Sequence, residues 1–314
     1  MVWVIKPRTA GPHVTLRGVV GLMRPVPLAV WSVPTVTFGF LSQPFWTRNW
    51  GYALALAVLG AMVLQGLITH GLNDLYDWQS GTDQESPGVI SGGSKVLLHG
   101  SLDSVGIWRI VWASIGIYVA LAVGLAMYRG EAVLVWAGLG LAGSIVYSVP
   151  PMRLSYRPGL GEWIALFPAM LSGVLLGALA ANPVLSFGAI VAATWYGVFC
   201  VASVMQHHFS DIGADWASNP QKRTTPAYWH MALGRTPKEP VVTYEVMALA
   251  IAGLGAVRDF SFFSPLIGAT LLEVAFTVWT RLDGGIGHLT RMDLAIKALV
   301  PLAVVAVAIG RFGV

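Results

Sequence analysis

Apolar residues run through the chain in blocks of about twenty, parted by short polar stretches, from residue 27 to residue 312. A hydrocarbon crossing takes about 20 mostly apolar residues. The pattern therefore predicts nine helices, at 26–46, 51–72, 105–127, 132–150, 160–181, 184–206, 241–257, 262–280 and 293–311. The blocks are continuously apolar and lack the alternation of a lipid-facing strand. The expected fold class is all-α, a polytopic membrane bundle around a central cavity. No polar segment is long enough to fold separately, so residues 1–314 are expected to form one unit.

Composition agrees. Of 314 residues 55% are hydrophobic and 11% charged, and the mean hydropathy is +0.68, whereas soluble domains carry roughly 25% charged residues. This excludes a water-soluble enzyme, a disordered chain and a coiled coil. The net charge of +4 is dispersed, unlike the clustered basic face that nucleic acid requires. With nine spans and the N-terminus inside, 15 of the 19 Lys and Arg residues fall on the inner side, and Arg48, Arg129, Arg258 and Arg311 fall outside. That asymmetry follows the positive-inside rule and predicts a cytoplasmic N-terminus in the cell membrane. The lone Cys200 excludes an intrachain disulfide. Residues 1–16 hold Lys6 and Arg8 without a compact apolar core, so no cleavable signal peptide is expected.

The two longest polar connections, 73–104 and 209–240, share the inner side and hold most of the acids. Long loops in a compact bundle are usually functional. Asn73-Asp74-Leu75-Tyr76-Asp77 follows the second span, with Asp83 beyond the turn-forming Gly81. His207-His208-Phe209-Ser210-Asp211 and Asp215 follow the sixth. Asp74/Asp77 and Asp211/Asp215, three and four residues apart, each share a helix face. A single helix-end aspartate is often a solvated cap; five of them in two short motifs at one end of a bundle point to chemistry. Facing carboxylates repel unless cations neutralise them, and hard oxygen donors suit magnesium shared with a substrate's phosphates. Lys95, Lys222 and Arg223 stand nearby to hold phosphate oxygens and stabilise a leaving diphosphate. The proline-rich turn from Tyr147-Ser148 through Arg153 to Arg157 can line the same cavity.

In this order and topology the two motifs resemble those of the UbiA superfamily of intramembrane prenyltransferases, over most of the chain from Arg24-Pro25 to about Gly234. The form of residues 73–83, followed by Ser91-Gly92-Gly93-Ser94, is most similar to the dihydroxynaphthoate polyprenyltransferase branch of menaquinone synthesis. The resemblance implies magnesium-dependent transfer of an isoprenoid chain from a polyprenyl diphosphate to an aromatic acceptor. It implies metal held through Asp74, Asp77, Asp211 and Asp215, with Asn73 and Asp83 supporting, and a carbocation site near Tyr147. Diphosphate contacts are expected from Arg24, Asn73, Lys95, Ser148, Arg153, Lys222 and Arg223. The chain departs from that branch at Ser86-Pro87, where an arginine often stands. It departs again at His207, His208 and Ser210, where asparagines and an arginine are usual, and in the wording of the loop from Trp216 to Trp229.

A terpene cyclase of the same family, or transfer to a lipid alcohol, would use the same donor site. A divalent-cation transporter would need acids through the membrane depth and often an internal repeat, and no repeat of period ~20–50 residues is visible. Gly138-Leu139-Gly140-Leu141-Ala142-Gly143 spells a nucleotide-loop motif inside a span, where close helix packing explains it better. His207-His208 lack further zinc ligands and are expected to line the cavity. Trp46 and Trp50 are expected as interface anchors, while Trp78 and Trp216 adjoin motif aspartates. Glu162, Glu245 and Glu273 lie in or near spans, where ionisable residues are functional candidates.

Overall fold

The polar-to-apolar boundaries of the sequence become helix caps. Side chains of Thr15, Asp103, Ser186 and Asp259 accept hydrogen bonds from the backbone N–H groups of Gly18, Gly106, Ala189 and Phe262 at 3.0, 2.6, 3.1 and 3.0 Å. Each satisfies an orphan donor at a helix start. The computed structural model describes residues 14–87 and 92–313. Lys6, Arg8, the rest of the N-terminal stretch and Ser91 lie outside them.

Among the described residues all regular elements are helical. They run α1 (Leu16–Met23), α2 (Pro25–Leu41), α3 (Trp50–Ser80), α4 (Thr82–Glu85), α5 (Ser104–Arg129), α6 (Ala132–Ser148), α7 (Gly161–Ala181) and α8 (Phe187–Ser210). The short α9 (Ile212–Ala217) and α10 (Thr225–Met231) precede α11 (Lys238–Ala256), α12 (Phe260–Trp279) and α13 (Gly285–Phe312). Seven helices are long and apolar enough to cross a membrane. The α1–α2 pair, bent by 47°, makes an eighth, and α6 is a shorter apolar helix of 17 residues. Among the described residues seven or eight helices thus qualify as spans against the nine expected, with the shorter α6 standing where the block 132–150 was expected. The largest boundary shifts are in α3, which continues eight residues past the expected end at Leu72, and α13, which begins eight before Asp293; α2 ends at Leu41, five short of 46, and α8 runs to Ser210, four past 206. Trp112, Val135, Leu139, Leu271 and Leu272 are exposed on the helices, as on a surface solvated by lipid. The chain is a multi-pass integral membrane protein.

α8 is the central post, with 72% of its most apolar stretch buried against 22% for the peripheral α5. Its Trp195 and Tyr196 rings pack on Phe38 of α2 at 5.5 and 5.6 Å. α2 and α7 meet more closely than side chains allow. A methyl group on Gly39 would overlap the Val174 carbonyl, and one on Gly177 the Val36 carbonyl. Small residues at such crossings let helix backbones touch.

Three stretches widen into π-helical turns, Leu28–Ser32 in α2, Leu64–Thr69 in α3 and Gly161–Leu166 in α7. Such turns often occur at functional sites, and here all three border the cavity described below. At the opposite end, buried Arg129 donates to the carbonyls of Ala180, Tyr128 and Arg48 at 3.0, 3.2 and 3.2 Å. Arg311 reaches the Gln43 carbonyl at 2.6 Å and Trp46 packs on Trp50 there. Arg258 lines a small pocket with Arg311 and Ser42, so the four arginines expected on the outer side gather at one end, away from the acidic motifs.

Gly177→Val is expected to destabilise the fold by about 1–3 kcal/mol through overpacking, read as a lower melting temperature in detergent. Unchanged melting would contradict the backbone contact.

Candidate active site

The first motif is built by a helix that overruns its span. α3 carries Asn73, Asp74 and Asp77 on one face, and Gly81, at φ +86°, reverses the chain so that α4 returns Asp83 toward them. Asp74 is held by the Arg24 guanidinium and by Ser94, whose N–H donates at 3.1 Å and whose hydroxyl also donates. Arg24 reaches it because it sits at the α1–α2 break in a left-handed conformation, φ +51°. Gly93 lies so close above the carboxylates that a Cβ there would overlap Asp83. Asp77 accepts from Asn73 Nδ2 at 2.8 Å, Lys222 Nζ at 2.7 Å and the Tyr156 hydroxyl at 2.8 Å.

The second motif turns off the end of α8. Asp215 Oδ2 accepts from the Thr224 hydroxyl at 3.0 Å and faces His208 Nδ1 at 3.3 Å, and Asp211 is bonded by the Ser86 hydroxyl. Lys222 joins the two motifs: its ammonium is 2.7 Å from Asp77 and 3.8 Å from Asp215 Oδ1. Burial alone would lower the Lys222 pKa, but Asp77 and Asp215 raise it well above its ordinary value. Burial likewise would raise Asp215, yet Lys222 and His208 hold it below the usual carboxylate value. Backbone bonds from Asn219 N to Ser80 O at 2.9 Å and from Lys222 N to Asp215 O at 3.0 Å clip the second loop onto the first.

Among the described residues, five buried carboxylates thus gather where Arg24 pairs with Asp74 and Lys222 with Asp77. The imbalance shows at Asp83, whose pKa is pushed up to about 8, first by burial and then by Asp77 and Asp74. Oδ1 of buried Asp215 makes no hydrogen bond. Excess buried negative charge and a spare carboxylate oxygen fit a hard divalent cation. Among the described residues no three His, Cys, Asp or Glu side chains converge at ligand spacing. Magnesium does not require an all-protein cage, because it keeps waters and takes phosphate oxygens beside one or two carboxylates.

Both motifs open into one cavity of about 1420 Å³, counting the solvent at its mouth. Asp77, Asp83, Asp211, Asp215, Arg24 and Lys222 line its polar end, and Ala61, Leu64, Trp31, Leu166 and Met170 its apolar depth. The space suits an amphiphile with an anionic head.

No protein-family model matches the chain, and no curated protein sequence does. Solved structures do. A UbiA homologue from Archaeoglobus fulgidus bound to GPP and Mg2+ superposes with a TM-score of 0.69 at 15% identity, covering 93% of this chain and 99% of that one. A UbiA homologue from Aeropyrum pernix K1 gives 0.63 at 15%, covering 93% and 98%. A structure concerned with digeranylgeranylglyceryl phosphate synthase gives 0.64 at 12%, covering 95% and 99%. This is the UbiA fold.

Within the UbiA fold the residues singled out from sequence separate into two groups. Arg24, Asn73, Asp77, Asp83, Tyr147, Asp211, Asp215 and Lys222 line the cavity, and Asp74 is buried behind Arg24. Four expected diphosphate contacts lie outside the cavity wall. Arg153 lies over the rings of Tyr76 and Tyr156 at 5.2 and 5.4 Å. Arg223 is exposed and bonds Gln221 at 2.9 Å. Lys95 caps the Asp83 carbonyl at 3.1 Å, and Ser148 is buried with its hydroxyl unbonded. Gly143 of the glycine-rich stretch packs against α7, where a Cβ would come within 2.7 Å of the Ala165 carbonyl. Glu162 and Glu273 accept from Thr225 and Ser203, both at 2.6 Å, and Glu245 from Thr277. Sequence reading gave no role to His70, Gln65, Asp293 or Lys297. His70, Gln65 and Lys297 line the cavity, and Asp293 pairs with Lys297. The available signal was the Asp293/Lys297 spacing of four residues in the last apolar block.

A raised carboxyl pKa means that the folded state favours the proton. The Asp83 contribution is complete below the ordinary aspartate value of 3.8 and is lost as pH rises through about 8. Asp83→Asn is therefore expected to melt higher than wild type at pH 9 in metal-free buffer, the gap closing toward pH 4. A constant offset across that range would contradict the assignment.

Proposed function

We propose that the chain is an intramembrane prenyltransferase that moves an isoprenoid chain from a polyprenyl diphosphate to an aromatic, quinone-precursor-like acceptor and releases diphosphate. One observation carries the reading: two carboxylate motifs meet through Lys222 at the head of a cavity that continues into apolar walls. The ligands of the homologues support it, since GPP with Mg2+ and DMAPP with Mg2+ occupy structures of this fold.

In this reading the prenyl tail lies along Leu64, Leu166 and Met170, and the diphosphate sits between Asp77/Asp83 and Asp211/Asp215. Asp74 is a positioning residue, fixing Arg24 beside the head group. Asp77, Asp83, Asp211 and Asp215 would hold Mg2+, which when bound would supply Lewis-acid neutralisation of the departing diphosphate. Arg24 and Lys222 add fixed positive charge aimed at the same oxygens. The apolar walls exclude water from the allylic cation, and the aromatic faces of Tyr147 and Trp31 attract it. The placement of Arg48, Arg129, Arg258 and Arg311 at the far end supports an orientation in the cell membrane with the N-terminus inside and the cavity opening to the cytoplasm.

A second acceptor class is favoured by one observation: the structure concerned with digeranylgeranylglyceryl phosphate synthase has this fold, which supports a lipid alcohol. Purified protein in nanodiscs with geranyl diphosphate, offered 1,4-dihydroxy-2-naphthoate or a prenylglyceryl phosphate, separates the two by product mass. Mg2+-dependent diphosphate release is expected with wild type and to fall at least about a hundredfold in Asp77→Asn and in Asp215→Asn. Release that survives the combined Asp74→Ala and Asp211→Ala change would overturn the reading.

A further inference from the structure

The carboxylate site accounts for departure of the diphosphate but leaves the acceptor's proton without a destination. We propose that His207, oriented by Asp293, is the base that takes this proton; the inference rests on the prenyl-transfer reading above. His207 comes from the end of α8, and Asp293 and Lys297 stand one turn apart on α13. His207 and Lys297 both border the cavity, and the side chains of all three meet one another.

The three groups form a tight triangle. His207 Nδ1 is 3.0 Å from Asp293 Oδ2 and 2.9 Å from Lys297 Nζ, and Nζ is 2.6 Å from the same Oδ2. His207 Nδ1 can accept from the Lys297 ammonium or donate to Asp293; in the tautomer that donates to Asp293 the lone pair is on Nε2, the ring atom turned away from the carboxylate. Asp293 is buried and its Oδ1 makes no hydrogen bond, so the carboxylate retains capacity to stabilise an imidazolium. Lys297 alone already balances Asp293. The neutral imidazole is the member of the triangle that can gain a charge, and the Trp31 ring, 5.9 Å from Nζ, closes the apolar side. The other charged or titratable groups facing this corner are His208, its ring 6.0 Å from that of His207, and Arg24 and Asp211, both within electrostatic reach of Lys297. His208 is committed to Asp215, and Glu162 to Thr225.

The step balances. The acceptor's nucleophilic atom gives an electron pair to C1 of the prenyl group, and the C1–O pair departs with the diphosphate. The proton that the acceptor sheds passes to His207 Nε2, and Asp293 balances the imidazolium until water at the mouth removes the proton. An acceptor hydroxyl or an aromatic carbon is served alike.

The test compares wild type, His207→Gln, His207→Ala and Asp293→Asn in nanodiscs with geranyl diphosphate, Mg2+ and whichever of the two acceptors wild type uses. Transferred and hydrolysed prenyl groups are counted separately, and melting temperatures report folding. His207→Gln is expected to transfer at least about a hundredfold more slowly, with a larger share of the turned-over donor appearing as geraniol. Added imidazole is expected to restore transfer in His207→Ala, and Asp293→Asn to shift the acid limb of the transfer–pH profile. A folded His207→Gln within about threefold of wild type and with the same product split, or a folded His207→Ala that imidazole does not rescue, would overturn the proposal. Absence of diphosphate release by wild type would instead overturn the transferase reading beneath it.

Discussion

A single buried ammonium ties the acidic end of this bundle together. Lys222 is almost fully enclosed and is shared by Asp77 from the first motif and Asp215 from the second. Breaking a buried charge pair typically costs 3–5 kcal/mol, so neither carboxylate can leave without stranding the lysine. The two loops are therefore locked in register although 145 residues separate Asp77 from Lys222. Arg24 does the same for Asp74 from the other side. What remains is a shell of buried carboxylates with Asp83 pushed toward its protonated form, an arrangement whose chemistry suits a hard divalent cation.

The apolar frame is shaped to leave that mouth open. Backbone contact of α2 with α7 at Gly39 and Gly177 draws the helices together behind the cavity, while π-helical turns in α2, α3 and α7 swell the wall in front. Tight packing on one side and widened turns on the other are complementary. The resulting space is polar where the helices end and greasy where they cross the bilayer.

Much of this was legible in the amino-acid sequence, because hydropathy blocks and aspartate spacings are local signals. The blocks located the helices, and the motif order placed Asp74, Asp77, Asp211 and Asp215 at one end. Side-chain direction in the loops was not legible. Lys222 and Arg223 are neighbours in an irregular strap, where successive side chains point opposite ways; one is buried between carboxylates and the other faces outward. Arg153 is captured by the rings of Tyr76 and Tyr156, an attraction that depends on how two distant turns approach. The Asp293/Lys297 pair stands at the very start of the last expected block, at 293–311, and so looked like a helix end, whereas α13 begins at Gly285 and holds both residues well inside it. Polar residues inside a helix read, from composition, as its boundary.

Arg129, with its three backbone carbonyls, has a consequence for traffic. It stitches the far turns shut, and among the described residues none from that end borders the cavity. The bundle is a vessel with a floor and not a conduit. Whatever enters its polar head must back out the way it came or slip sideways between helices into the surrounding lipid.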